Sequence, residues 1–201
     1  MCRGGREFAF SPTDAAMTTN SRLRRLLEFA REHGIALLIV NGVDGGAEQT
    51  CATISEFALG STADDIVLLV RSDKIMLHAS ALTLEDVRAR ISVPADVFCN
   101  PAPVGSVDGE AALDFKLEAV RKMLAASPGC VVPTADGGLR AAADAVPLLR
   151  AAFEGDSLPP AAPPPPPSAA AALALLLGAV DDAALRRGGE LAASAASLGA
   201  V

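Results

Sequence analysis

The side chains best able to do chemistry are few in this sequence of 201 residues. The loop Asn41-Gly42-Val43-Asp44-Gly45-Gly46 follows an apolar run and precedes a helical one, where phosphate-binding loops sit. It carries neither G-x-G-x-x-G nor the lysine-bearing P-loop pattern, and Asp44 and Glu48 would repel a phosphate. The loop therefore reads as a strand-to-helix turn. His33 and His78 are the only histidines, and neither has a Ser or Cys motif such as G-x-S-x-G around it. Both read as structural. Asp64-Asp65 and Asp181-Asp182 are paired carboxylates, but neighbours in sequence do not converge on one point in a helix or strand, so these read as caps and solvated charge. Cys2, Cys51, Cys99 and Cys130 are too widely spaced for zinc or redox motifs and read as buried thiols. No catalytic, metal or cofactor residues are expected.

Composition narrows the partners. Hydrophobic residues make up 51% of the chain, much of it alanine, while aromatics are 3%, with no Trp or Tyr. Stacking platforms for single-stranded nucleic acid are therefore scarce. The net charge of −7 also opposes phosphate binding and favours basic partners. Arg22, Arg24, Arg25 and Arg31 form the densest basic group, and interleaved acids explain them as a solvated helix face. Direct sequence-specific nucleic-acid binding is not expected. Met1 to Asn20 lacks the apolar stretch of a secretory signal, and the run Ala169 to Val180 is too short to span a bilayer. A reducing compartment, cytosol or nucleus, is inferred.

Periodicity then supplies the elements. From Ser21, capped by Asn20 or Ser21, Leu23, Leu26, Leu27 and Ala30 share one helical face, and Gly34 ends the helix. Ile35 to Val40 is a continuous apolar run that suits a central strand covered on both faces. Glu48 to Leu59 reads as a helix ended by Gly60. Ile66 to Val70 and Ile75 to Ala79 flank the polar Arg71-Ser72-Asp73-Lys74 and read as an antiparallel hairpin. Thr83 caps the next helix, with Asp86 at the capping-box position. Val97-Phe98 and Val131-Val132 are short strands on either side of an amphipathic helix from Glu110 to Ala126, and Leu139 to Phe153 is a last helix, bent or restarted at Pro147. The expected fold class is α/β, a mixed β-sheet flanked by helices. Residues 1–20 are expected to be a disordered amino terminus, 21–157 the α/β lobe, and 158–168 a linker with five consecutive prolines, Pro163 to Pro167. This run could be a ligand for proline-reading domains, but it lacks a basic flank and reads as a spacer. Beyond it a helix runs from Ala169 to about Leu198, with residues 172–201 expected to dock loosely.

Three stretches together resemble the amino-terminal lobe of the large subunit of the FACT histone chaperone, a lobe that itself resembles the amino-terminal domain of creatinase and aminopeptidase P. The first is Ala36-Leu37-Leu38-Ile39-Val40-Asn41-Gly42, similar to the family's core strand and Gly turn. The second runs from Thr50 to Ala79: a helix ending Glu56-Phe57-Ala58-Leu59-Gly60, the strand Asp65 to Val70, and Asp73-Lys74-Ile75-Met76-Leu77-His78-Ala79. The family has there a helix closing on Leu-Leu-Gly, an apolar strand and a Lys-Asp-Lys-Ile hairpin. The third, Leu177 to Arg187, is similar to the segment that begins the family's pita-bread lobe. Phe57 stands where the family has Trp, and Ser61-Thr62 where it has Tyr-Glu.

The resemblance implies a non-catalytic lobe, since the sequence ends at Val201, ahead of the lobe that holds five metal ligands in the peptidases. It implies a nuclear, chromosomal role in nucleosome reorganisation during transcription, replication and DNA repair, with core histones and the small DNA-binding subunit of FACT as partners. Glu56, Phe57, Asp64 and Asp65 are the residues expected to meet a partner. The alternative is the accessory amino-terminal domain of a metal-dependent X-Pro aminopeptidase. A nucleotide-binding enzyme would need the loop after Asn41 to hold phosphate.

Overall fold

The computed structural model describes residues 12–42, 48–91, 93–100, 109–142, 166 and 168–178. The first helix, α1, spans Pro12–His33, so residues expected to be disordered up to position 20 are helical from 12 onward. No Gly or Pro occurs between residues 13 and 33, so nothing interrupts the backbone ladder until Pro12, a residue the first helical position tolerates. At the other end, Gly34 takes φ +63° and donates to the Arg31 carbonyl at 3.3 Å, while Ile35 donates to Ala30 at 3.0 Å. This paired closure needs a left-handed residue, which Gly supplies without strain.

The chain next forms β1 (Leu37–Val40), α2 (Glu48–Leu59) and the antiparallel pair β2 (Val67–Val70) and β3 (Ile75–Ser80). Their turn closes with Arg71 N–H donating to the Lys74 carbonyl at 2.9 Å and Arg71 paired with Asp73 at 3.0 Å. Helix α3 (Ala81–Arg88) leads to β4 (Ala95–Asn100), α4 (Gly109–Ala126), β5 (Val131–Pro133) and β6 (Leu139–Ala141). A further helix, α5, covers residues 168–178. The six strands form one mixed sheet in the order β4-β3-β2-β1-β5-β6. The α/β class, with helices on a mixed sheet, is thus observed.

Alternation along the strands divides the core in two. Leu37 and Ile39, Leu68 and Val70, and Ile75 and Leu77 face α1, α2, α3 and α5. Leu38, Val67, Leu69 and Met76 face the other way, where α4 supplies Ala119, Val120, Met123 and Leu124. Each fully buried Leu or Ile contributes about 1.5–3 kcal/mol relative to exposure, which explains why the short strand β1, packed on both faces, holds the middle of the sheet.

Four expectations are corrected. Leu139–Ala141 is a strand, not the start of a helix, because it pairs antiparallel with β5 across a turn in which Thr134 N–H donates to the Gly138 carbonyl at 3.0 Å; that ladder outweighs the helix propensity of Leu139, Arg140 and Ala141, and the expected helix from 143 onward, including Pro147, lies outside the described residues. Ser80, not Thr83, caps α3: it accepts from Thr83 N–H, and Asp86 pairs with Arg90 instead of closing a capping box. Cys99 is exposed, at the end of an edge strand, whereas Cys51 and Cys130 are buried as expected and Cys2 lies outside the described residues. Residues 172–177 are not loose: Leu173 enters the core together with Ala169, and Ala172, Leu176 and Leu177 pack against it. The apolar face of α5 finds its partner on the same sheet face as α1 to α3. Positions 179–201 lie outside the described residues.

Candidate functional site

Strands β1, β3, β4 and β5 run in one direction and β2 and β6 in the other. The carboxyl ends of the first four therefore share one sheet edge, where α/β folds place ligand sites. Asn41-Gly42 after β1, Ser80 at the end of β3 and Thr134 after β5 meet there, and so does Ala63 to Ile66, which enters the antiparallel β2.

Asn41 organises this edge. It is 1% exposed, and its amide groups and backbone N–H all have partners. The side-chain amide donates to the Ala63 carbonyl at 3.1 Å, its oxygen accepts from the Ser55 hydroxyl at 2.9 Å, and its backbone N–H donates to the Ile66 carbonyl at 3.0 Å. One residue thus ties the end of β1 to α2 and to the entry of β2. Thr50 adds a link from α2 to the Thr134 carbonyl at 3.4 Å.

Lys116 reaches the same point from α4. Its ammonium donates to the carbonyls of Asn41 at 3.1 Å and Gly42 at 3.0 Å. Burial lowers its pKa, while the negative charges of Asp64, Asp65 and Glu48 act to restore it. Gly42 has φ +61°, and a Cβ there would stand 2.8 Å from both Asp64 Cβ and Lys116 Nζ. The site is closed around a glycine because no side chain fits. Asp65 accepts from Ser80 N–H at 2.6 Å and from the Thr83 hydroxyl at 2.9 Å. Burial opposes its ionisation, but these donors outweigh burial and hold the carboxyl below the usual carboxylate range.

Of the four residues expected to meet a partner, Asp64 and Asp65 are brought to this edge beside Lys116. Glu56 is exposed on α2, one turn before the helix closes with Gly60 donating to the Glu56 carbonyl at 2.9 Å. Phe57 is 5% exposed and belongs to the core, with the Arg22 guanidinium 5.5 Å above its ring. It stabilises α2 against α1, and Glu56 and Asp64 are the members of the set open to solvent.

Neither histidine is arranged for acid–base work. His33 packs its ring 5.0 Å from Phe29 at the end of α1. His78 lies between Phe115 at 4.2 Å and Phe98 at 6.0 Å, and burial together with the Lys122 charge lowers its pKa to about 4 despite Glu118. Burial raises the Cys51 thiol and pushes Cys130 up to about 12, so both stay protonated at neutral pH. Among the described residues, no group of three or more His, Cys, Asp or Glu side chains is placed to hold a metal ion. Among them, too, no helix is long and apolar enough to cross a membrane.

The sequence matches no family model and no curated protein. Among solved structures, the chain is similar to the N-terminal domain of FACT complex subunit SPT16 from Cicer arietinum (chickpea), at 15% identity and a TM-score of 0.38. The match covers 59% of this chain and 29% of that chain, so this chain spans less than a third of its length.

Sequence reasoning missed Lys116 and the role of Asn41. Lys116 sits among the polar positions of an amphipathic helix, and nothing in that periodicity separates a solvated lysine from one capping backbone carbonyls. Asn41 carries a faint signal, since an amide directly after a buried strand must find partners.

Proposed function

We propose that this chain is a non-catalytic binding lobe of the kind that opens the large subunit of the FACT histone chaperone, acting in a nuclear complex that reorganises nucleosomes. The observation that carries the reading is the block from Thr50 to Ala79. Its sequence resembles the family's helix, strand and Lys-Ile hairpin, and in this chain it folds as the consecutive elements α2, β2 and β3 in the middle of the sheet. The Asn41-Gly42 turn, the other part of that resemblance lying at the same edge, is the point that Lys116 closes.

The chemistry of the edge agrees with binding. Lys116 and Asp65 spend their hydrogen bonds on backbone and neighbouring side chains. A net charge of −7 favours a basic partner such as a core histone, and Glu56 and Asp64 are exposed carboxylates that can meet one. The chain, tagged and expressed in cells, should enter the nucleus and co-purify with core histones and the small DNA-binding subunit of FACT. Recovery with a dimetal X-Pro peptidase, or exclusion from the nucleus, would overturn the reading.

A further inference from the structure

The Nδ1 atom of His78 is the one buried side-chain nitrogen or oxygen among the described residues without a hydrogen-bond partner. The residue is 3% exposed. It stands on the sheet face covered by α4, two positions from Met76, and meets apolar neighbours from three elements. From β2 it meets its register neighbour Val67, from β4 the Phe98 ring, and from α4 the Phe115 ring at 4.2 Å. The charged groups facing it are Lys122 and Glu118, both on α4 and paired with each other at 2.9 Å. A neutral imidazole fits this place. A protonated one would be a charged ring with an unpartnered Nδ1 between the Phe98 and Phe115 rings and near the Lys122 ammonium.

Helix α4 is also the one element among the described residues whose removal would uncover His78. Among the described residues it is the helix on its sheet face, whereas the opposite face carries four. Its ties to the sheet include Lys116 in its middle and the Arg71 guanidinium on the Ala126 carbonyl, at 3.5 Å, at its end.

We infer that His78 makes the docking of α4 sensitive to acid: protonation of the imidazole releases α4 from its face of the sheet while the opposite core stays closed. The step is a simple proton uptake, and neutralisation restores the closed state. A histidine freed into water binds its proton near the ordinary value of about 6.5, and the buried one near about 4. Uptake therefore favours the open state as pH falls below about 6.5 and saturates below about 4. Between pH 7.5 and 5 this linkage increases the open population roughly ten- to thirtyfold.

Native-state hydrogen exchange of the full chain, read by peptides and corrected for intrinsic rates, tests this at pH 7.5 and 5. Peptides over residues 109–126 should lose protection by that factor, those from β1 and α2 should lose none, and H78F should abolish the loss. Equal loss in H78F and the parent chain, or equal loss across all peptides, overturns the inference. An NMR titration of the parent chain gives an answer that does not depend on the variant folding. The His78 ring must titrate well below the ordinary imidazole value and in step with the α4 signals, and a His78 that titrates near that ordinary value contradicts the mechanism.

Discussion

At the residue scale, the sheet edge depends on side chains whose partners are backbone groups. Gly42 cannot carry a Cβ, since Asp64 and Lys116 occupy the space and φ is positive. Gly42→Ala should therefore cost about 1–3 kcal/mol, measured by urea denaturation, whereas Gly178→Ala, which meets nothing within 4 Å, should not destabilise the fold. Asp65 is testable through pH. Its folded pKa lies below the ordinary carboxylate value, so its stabilisation is present above about pH 4 and fades as pH falls through the folded value. Asp65→Ala, which leaves Ser80 N–H and the Thr83 hydroxyl without their acceptor, should cost about 1–3 kcal/mol at neutral pH. The gap between variant and parent should close in acid, and a gap that persists unchanged at pH 2 would assign the loss to packing instead.

At the scale of elements, helix α5 offers the clearest contrast. Leu173 is buried in the core and Leu175 on the same helix is 75% exposed. Leu173→Ala should destabilise the chain by about 2–4 kcal/mol, and Leu175→Ala by under about 0.5 kcal/mol, with calorimetric melting as the check. Equal, small effects would mean that α5 does not dock in solution. The elements also show what the sequence could reveal. Strand β1 was legible because Leu37, Leu38 and Ile39 are apolar without alternation, which fits a short strand packed on both faces. The β2–β3 hairpin was legible from four polar residues between two apolar runs. Strand β6 was not, because Leu139-Arg140-Ala141 carries no local strand signal and owes its conformation to pairing with Val131–Pro133. The docking of α5 was equally hidden, since an alanine-rich helix declares an apolar face but not the surface that receives it. Of the acids singled out from the sequence, Glu56 and Asp64 are exposed, and Asp64 lies at the sheet edge. Lys116, 74 residues from Gly42 in sequence, became part of the edge only through the packing of α4.

At the scale of the whole molecule, the proposed histone-binding role rests on the net charge of −7, which favours a basic partner. The direct test is a titration of fluorescently labelled core histones, as their native dimers and tetramers, with the full chain at about 0.1 M and about 0.5 M salt. The salt range matters because screening shortens from about 10 Å at 0.1 M toward about 3 Å at 1 M, so contacts between exposed charges weaken across it. The double variant E56K/D64K, which reverses two exposed charges, serves as the comparison. Saturable binding that weakens with salt and falls about fivefold or more in E56K/D64K is the expected result. No binding at either salt concentration, or binding that the double variant leaves unchanged, would contradict the proposal that this chain is a histone-binding lobe.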